Sequence, residues 1–110
     1  MKFYVYQFAV EDHLTLGNFT DRAVENEYFE TLCRGNVSWE TFQDKFKCVC
    51  SIEADDLDGV FHIGNVGPEE KIERFGDMTS VSVGNIIQAN GRYMIVKPFG
   101  FEEITNKIAA

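Results

Sequence analysis

The chain has 110 residues, of which 45% are hydrophobic, so it has enough apolar mass for one folded domain and gives no reason to expect global disorder. Its formal net charge of −8 argues against free nucleic acid or an anionic membrane as a ligand, because both repel an acidic surface. Three cysteines are too few for a disulfide scaffold, and the short apolar start is followed by acids rather than by a cleavage site. We therefore expect a cytoplasmic protein that forms one domain over residues 1–110.

Acidic residues are concentrated in the first half of the chain. Residues 1–58 contain 12 Asp and Glu against 5 Lys and Arg, whereas residues 59–110 contain 6 against 5. Such an excess can serve solubility alone. It can also form an acidic face that attracts a basic partner, and the sequence leaves both interpretations open.

The first predicted element is a strand over residues 2–8, which are aromatic and β-branched. Phe3 and Val5 share one face of this strand, and Tyr4 and Tyr6 share the other. Because both faces are largely apolar, we expect the strand to lie in the middle of a sheet rather than at its edge.

A helix is predicted next, with Asn18 or Thr20 as its cap and Leu32 near its end. Val24, Tyr28 and Leu32 repeat every four residues, which is typical of the buried stripe of a helix.

Residues 46–53 alternate between apolar and polar positions, which predicts a half-buried strand with Phe46, Cys48, Cys50 and Ile52 on one face. Asp55 or Asp56 can then cap a second short helix.

In the rest of the chain, turn-forming residues give the clearest predictions. Residues 65–80 are rich in Gly, Pro and charge, which predicts an ordered loop with one turn of helix. Asn90-Gly91, between two apolar runs, is typical of a two-residue hairpin turn, and a last strand can follow Pro98. Together the elements predict one α+β domain: a mainly antiparallel sheet, two short helices on one side and a C-terminal β-hairpin.

Two patterns suggest a metal site, and neither is complete. The acids before Gly59 resemble a calcium loop, but Ala54 and Asn65 stand where two of its ligands are needed. Cys48 and Cys50 have one residue between them, whereas zinc sites use pairs with two and need a second pair. We therefore predict no metal and no cofactor, with the cysteines as small core residues.

Catalytic and nucleic-acid motifs are equally incomplete. His13 and His62 have no recognisable nucleophile or base beside them, so we predict no catalysis. Gly64 and Gly67 match the G-x-x-G loop that grips nucleic acid in one RNA-binding fold, but acids follow instead of bases, so a turn is the better interpretation.

The second half combines a strand, a helix with Leu and an aromatic residue that ends at Asn, a Pro-acid loop, and a final stretch with Ser, Val, Gly and Tyr. The residues that carry this pattern are Leu57, Phe61, Asn65, Pro68, Ser80, Ser82, Val83, Ile86, Ile87, Gly91, Tyr93, Val96, Gly100, Phe101 and Ile104. In this pattern, residues 46–104 resemble the YodL-like small proteins of phages, plasmids and integrative elements. Asn85 stands where that family usually has Asp. The resemblance implies mobile DNA inside a bacterium as the setting, rather than a reaction mechanism.

Small acidic proteins of such elements often block a host protein, so this setting and the charge predict an accessory protein that binds and inhibits a host defence or nucleic-acid-processing protein. Its partner would be a basic host protein or nucleoprotein complex whose nucleic-acid groove an acidic, DNA-mimicking face can occupy. The candidate contact residues are the acids Asp21, Glu25, Glu27, Glu30, Glu40, Asp44, Asp55, Asp56 and Asp58. Two alternatives stay open: a structural or regulatory module with an apolar interface, and a small enzyme that uses His62 or Cys50.

Overall fold

The computed structural model describes residues 1–8, 42 and 46–105. Within these ranges the chain forms a single six-stranded antiparallel sheet, in the order β3-β2-β1-β4-β5-β6, and one α-helix. The elements are β1 (Lys2–Phe8), β2 (Phe46–Glu53), α1 (Leu57–Val66), a 3-10 helix (Glu69–Lys71), β3 (Ile72–Arg74), β4 (Ile86–Ala89), β5 (Arg92–Val96) and β6 (Phe101–Glu103). This agrees with the predicted mainly antiparallel α+β class. The other predicted helix, capped by Asn18 or Thr20, lies outside the described residues.

Strand β1 lies in the middle of the sheet, as its two apolar faces predict. It pairs antiparallel with β2 on one side and with β4 on the other. Phe3 and Val5 are buried on one of its faces, while Tyr6 packs into a hydrophobic cluster on the opposite face. The interior of the protein is therefore divided by the sheet into two apolar layers.

The predicted single buried face of β2 is wrong, because a β-bulge interrupts the strand. Val5 of β1 lies opposite Cys50, but the next residue, Tyr6, lies opposite Cys48, so Val49 has no partner in the register. An extra residue of this kind reverses the alternation of side chains beyond it. Cys50 and Ile52 consequently belong to the layer under α1, whereas Phe46 belongs to the layer on the opposite face.

Helix α1 covers one face of the sheet. Val60 and Ile63 are its buried residues, and they pack with Val5, Ile52 and other strand residues. Burying apolar area of this kind is the main source of folding free energy. At ten residues α1 is short, and no helix within the described ranges is long and apolar enough to cross a membrane.

An aromatic cluster occupies the opposite face. Phe42 lies 5.3 Å from Tyr6 and 5.7 Å from both Phe46 and Tyr93, measured between ring centroids. These tilted and edge-on arrangements are the ones that aromatic pairs prefer. The ring of Phe42 thereby ties residue 42 to the three strands β1, β2 and β5.

Two connections complete the sheet. Asn90 and Gly91 join β4 to β5 with φ values of 54° and 76°, the positive values that a two-residue hairpin turn needs. The predicted loop over residues 65–80 contains the expected helical turn, Glu69–Lys71, but its next three residues form the edge strand β3. A strand this short has too few residues to show an alternating pattern, so the sequence did not indicate it.

Candidate functional site

Three of the nine predicted contact acids lie close together, two on the connection between β2 and α1 and one in the first turn of α1. Asp55, Asp56 and Asp58 are all exposed, and we call these three residues the acidic corner. The remaining six fall outside the described residues: Asp21, Glu25, Glu27, Glu30, Glu40 and Asp44.

Asp56 also has a structural role, since it is the N-cap of α1. Its backbone is extended, with φ −156° and ψ 180°, and its Oδ1 accepts a hydrogen bond from the backbone N–H of Gly59 at 2.7 Å. Asp58 lies in the first helical turn, where a negative charge is favoured by the helix dipole. The start of α1 therefore explains why an acid stands at position 56 and, in part, at position 58. The Asp55 carboxylate has no such structural role.

The backbone beneath the acidic corner is held firmly. Ala54 is buried and donates its backbone N–H to the carbonyl oxygen of Met1 at 3.0 Å. On the other side, the buried Val60 donates its backbone N–H to the carbonyl oxygen of Asp56 at 3.1 Å. The corner is thus fixed at both ends to packed elements of the fold.

The acidic corner borders an open cleft of about 410 Å³. The cleft is lined by Glu53, Ala54, Asp55, Asp56, Asp58, Gly59, His62, Ile63 and Lys71. Four carboxylates against one lysine make this cleft suited to a cationic group. No three His, Cys, Asp or Glu side chains in the described part of the chain are grouped so that they could hold a metal ion.

Several other described acids are engaged by a positive group. Glu53 accepts a hydrogen bond from the Met1 amino group at 2.8 Å, which lowers the pKa of its carboxyl. Glu69 pairs with Arg74 through two hydrogen bonds, and Glu103 pairs with Arg92. Within the described ranges, the acidic corner makes no ion pair. Among the described residues, therefore, no positive group is paired with these three carboxylates.

No family model, curated protein or solved structure matches the chain. The likeness of residues 46–104 to the YodL-like proteins accordingly stays a prediction.

The two cysteines of β2 do not face each other. Cys50 is fully buried under α1, opposite Val5, while the half-buried Cys48 lies opposite Tyr6, on the other side of the bulge. Their thiols therefore belong to opposite faces of the sheet. Burial, with a smaller contribution from Cys48, raises the pKa of the Cys50 thiol to about 11, although Arg74 opposes the shift. Since the thiolate is the reactive form, Cys50 is poorly suited to catalysis.

We expect the raised pKa of Cys50 to make the protein less stable in alkaline solution. In the unfolded chain a cysteine ionises near its ordinary pKa of about 8.5, whereas the folded thiol keeps its proton until about pH 11. The unfolded state therefore releases a proton first, and stability falls as the pH rises between these two values. Urea unfolding at pH 8 and pH 10 measures this loss.

The control for this prediction is Cys50→Ala, which has no thiol to titrate. Its unfolding free energy should fall less between pH 8 and pH 10 than that of the wild type, whatever its starting stability. An identical decline in both proteins would show that Cys50 does not contribute.

The G-x-x-G pattern is explained by packing and by helix termination. Gly64 lies in α1 directly against Val81, and a Cβ on Gly64 would be 2.2 Å from Val81 Cγ2. Gly67 ends α1 with a φ of 104° and donates its N–H to the carbonyl oxygen of Ile63. The described geometry therefore supports the interpretation of these glycines as structural.

Sequence reasoning did not identify Lys71 and His62 as neighbours of the acidic corner. His62 is on α1, one turn beyond Asp58, and Lys71 ends the 3-10 helix. A helical spacing of four could have suggested the first neighbour. The second depends on how the chain returns from α1 to β3, for which the sequence offers no local signal.

Proposed function

We propose that this protein is a non-catalytic binding protein of a phage or mobile element, which inhibits a basic host protein involved in defence or nucleic-acid processing. The observation that carries the proposal is the acidic corner: Asp55, Asp56 and Asp58 are exposed within four residues and make no ion pair in the described part of the chain. The likeness to the YodL-like proteins supplies the setting.

Preorganisation supports this role. An interface loses affinity when loops and side chains must be ordered on binding, and a fixed surface avoids much of that cost. The acidic corner is held by the buried Ala54 on one side and by the cap hydrogen bond of Asp56 on the other. The backbone that carries the three carboxylates, and the Asp56 side chain, are therefore ordered before a partner binds.

The charge balance supports a basic partner. The described residues contain ten Asp and Glu against six Lys and Arg. Proteins that act on nucleic acid have basic grooves, because duplex DNA presents one negative charge per about 1.7 Å of axis. An acidic surface is steered into such a groove and competes with the nucleic acid for it.

A second candidate function is an interaction module with an apolar interface. It is favoured by Phe99, which is 96% exposed at the turn between β5 and β6, and by Val66 at the end of α1, which is 74% exposed. Isolated apolar residues are common on protein surfaces, so these two residues carry less weight than the clustered acids.

Affinity capture from a lysate of the natural host tests the proposal. The bait proteins are the wild type, the variant Asp55→Asn/Asp58→Asn and the matched control Glu73→Gln/Asp77→Asn, which removes two exposed acids elsewhere. Asp56 is left unchanged because it caps α1. We expect the wild type and the control to retain the same basic protein, and the corner variant to retain about tenfold less.

A fourth bait, Phe99→Ser, distinguishes the two candidate functions. If the partner is lost with Phe99→Ser but retained with Asp55→Asn/Asp58→Asn, the apolar interface is correct and the acidic one is rejected.

A further inference from the structure

A second cleft, which is mainly apolar, borders the start of α1, as the acidic cleft does. It has a volume of about 200 Å³ and lies between the start of α1 and the turn end of the β4–β5 hairpin. Phe3 and Ile87 line it and are buried, while Leu57, Ala89 and Met94 line it and are half-buried. Its apolar side chains can thus be reached from outside without any change in the fold.

Leu57 connects this cleft to the acidic corner. It lines the apolar cleft, while Asp56 and Asp58, its neighbours in the chain, line the acidic cleft. Consecutive Cα atoms are 3.8 Å apart, so one short segment of a partner can contact both regions at once. We call the two regions together the composite surface: the acidic corner with Leu57, Ala89 and Met94.

Size and charge decide what fits the composite surface. A volume of about 200 Å³ is below the roughly 300 Å³ at which small-molecule sites begin, but it is enough for one apolar side chain. Two cations border the cleft, and both are paired: Arg92 donates two hydrogen bonds to Glu103, and the Met1 amino group donates one to Glu53. An anionic group would therefore find no unpaired cation among the described residues here, whereas the exposed carboxylates of Asp56 and Asp58, which make no ion pair with a described residue, favour a cation.

We propose that the composite surface binds a peptide segment in which one apolar side chain, such as Leu, Met or Phe, is flanked by Lys or Arg. The apolar side chain enters the cleft against Leu57, Ala89 and Met94, and the flanking cations contact the acidic corner. The inference rests on the proposed function and adds to it the chemistry of the partner. Met94 suits this role because its flexible thioether adapts to different apolar side chains.

The test uses two synthetic peptides that differ at one position. Each peptide has one central residue with two basic residues, Lys or Arg, on each side of it. The central residue is Leu in one peptide and Ser in the other. Each peptide is titrated into the ¹⁵N-labelled full chain, and amide shifts give both the affinity and the location of binding. Because the change is in the peptide, the fold of the protein is not disturbed.

We expect the Leu peptide to bind at least about tenfold more tightly than the Ser peptide, as the burial of a leucine side chain implies. The Leu peptide should shift the amides of Leu57, Ala89 and Met94. In Met94→Gln, which keeps the length of the side chain, the difference between the two peptides should largely disappear. In Asp55→Asn/Asp58→Asn, both peptides should weaken by the same factor, while Glu73→Gln/Asp77→Asn should behave as the wild type.

The possible failures are distinguishable. Equal affinity for the Leu and Ser peptides, with Asp55→Asn/Asp58→Asn still weakening both, overturns the apolar cleft as a specificity site but leaves an acidic binding surface. Binding that is unaffected by the corner variant contradicts both the inference and the proposed function. No binding of either peptide overturns the inference, and the capture experiment then decides the proposed function on its own.

Discussion

Gly64→Ala is expected to destabilise the protein by about 1–3 kcal/mol, although alanine is the better helix former. A Cβ on Gly64 would lie 2.2 Å from Cγ2 and 2.9 Å from Cβ of Val81, which is fully buried. Overpacking of this kind typically costs about 1–3 kcal/mol, after a gain of up to about 1 kcal/mol in helix propensity. Urea unfolding followed by circular dichroism measures the difference.

Two further variants show whether Val81 is the cause. Val81→Ala removes Cγ2, the atom closest to the added Cβ, and keeps only Cβ at 2.9 Å, so in a double-mutant cycle Gly64→Ala should cost less in the Val81→Ala background. Gly76→Ala is the matched control, because a Cβ on Gly76 meets nothing within 4 Å. If Gly64→Ala is as stable as the wild type and shows no coupling to Val81, the packing of α1 described above is wrong.

Gln7→Leu is expected to lower the free energy of unfolding by about 2–4 kcal/mol, because the buried side chain of Gln7 hydrogen-bonds to the loop before β4. Gln7 is buried; its Nε2 donates to the carbonyl oxygen of Thr79 at 2.9 Å and to Oδ1 of Asn85 at 3.1 Å. Its Oε1 accepts from the backbone N–H of Thr79 at 3.0 Å. Leucine has a similar size but makes none of these three hydrogen bonds, and Oδ1 of Asn85 then keeps only the backbone N–H of Ser82. Each hydrogen bond that is lost costs about 0.5–1.5 kcal/mol.

The same substitution at Gln88 is the control. Gln88 lies in β4, is half-buried and has no side-chain hydrogen bond among the described residues, so Gln88→Leu should change the unfolding free energy by less than about 0.5 kcal/mol. Equal losses for Gln7→Leu and Gln88→Leu would show that the hydrogen bonds of Gln7 do not stabilise the loop.

The parts of the fold that depend on neighbouring residues could be predicted from the sequence. The two apolar faces of residues 2–8 indicate a central strand, and β1 is central. The capping chemistry of Asp56 depends on the residues that follow it, and Asp56 caps α1. The turn between β4 and β5 is formed by Asn90-Gly91, whose positive φ values follow from the residue types themselves.

The parts that depend on distant residues could not be predicted. The bulge at Val49 exists because β1 and β2 shift register against each other, and alternation within 46–53 contains no sign of it. Gln7 looks like an ordinary polar residue at the end of a strand, yet its partners lie 72 and 78 positions away in the chain.

In the candidate site, too, the features set by neighbouring residues could be predicted and those set by distant residues could not. The acids of the acidic corner are close in sequence, so their proximity in space follows directly. The apolar cleft is formed where β4 and β5 meet the start of α1, which brings Leu57 next to Ala89 and Met94. This proximity depends on the order of the strands in the sheet, so it could not be predicted from the sequence.

The salt dependence of partner binding tests the acidic corner most directly. Isothermal titration calorimetry with the captured host protein, at low and high salt, gives the Kd of the wild type, of Asp55→Asn/Asp58→Asn and of Glu73→Gln/Asp77→Asn. Exposed charges are screened by salt, so the wild-type Kd should weaken steeply as salt rises, and the corner variant should bind more weakly with a shallower dependence. A Kd that does not change with salt and is the same for all three proteins would contradict the account.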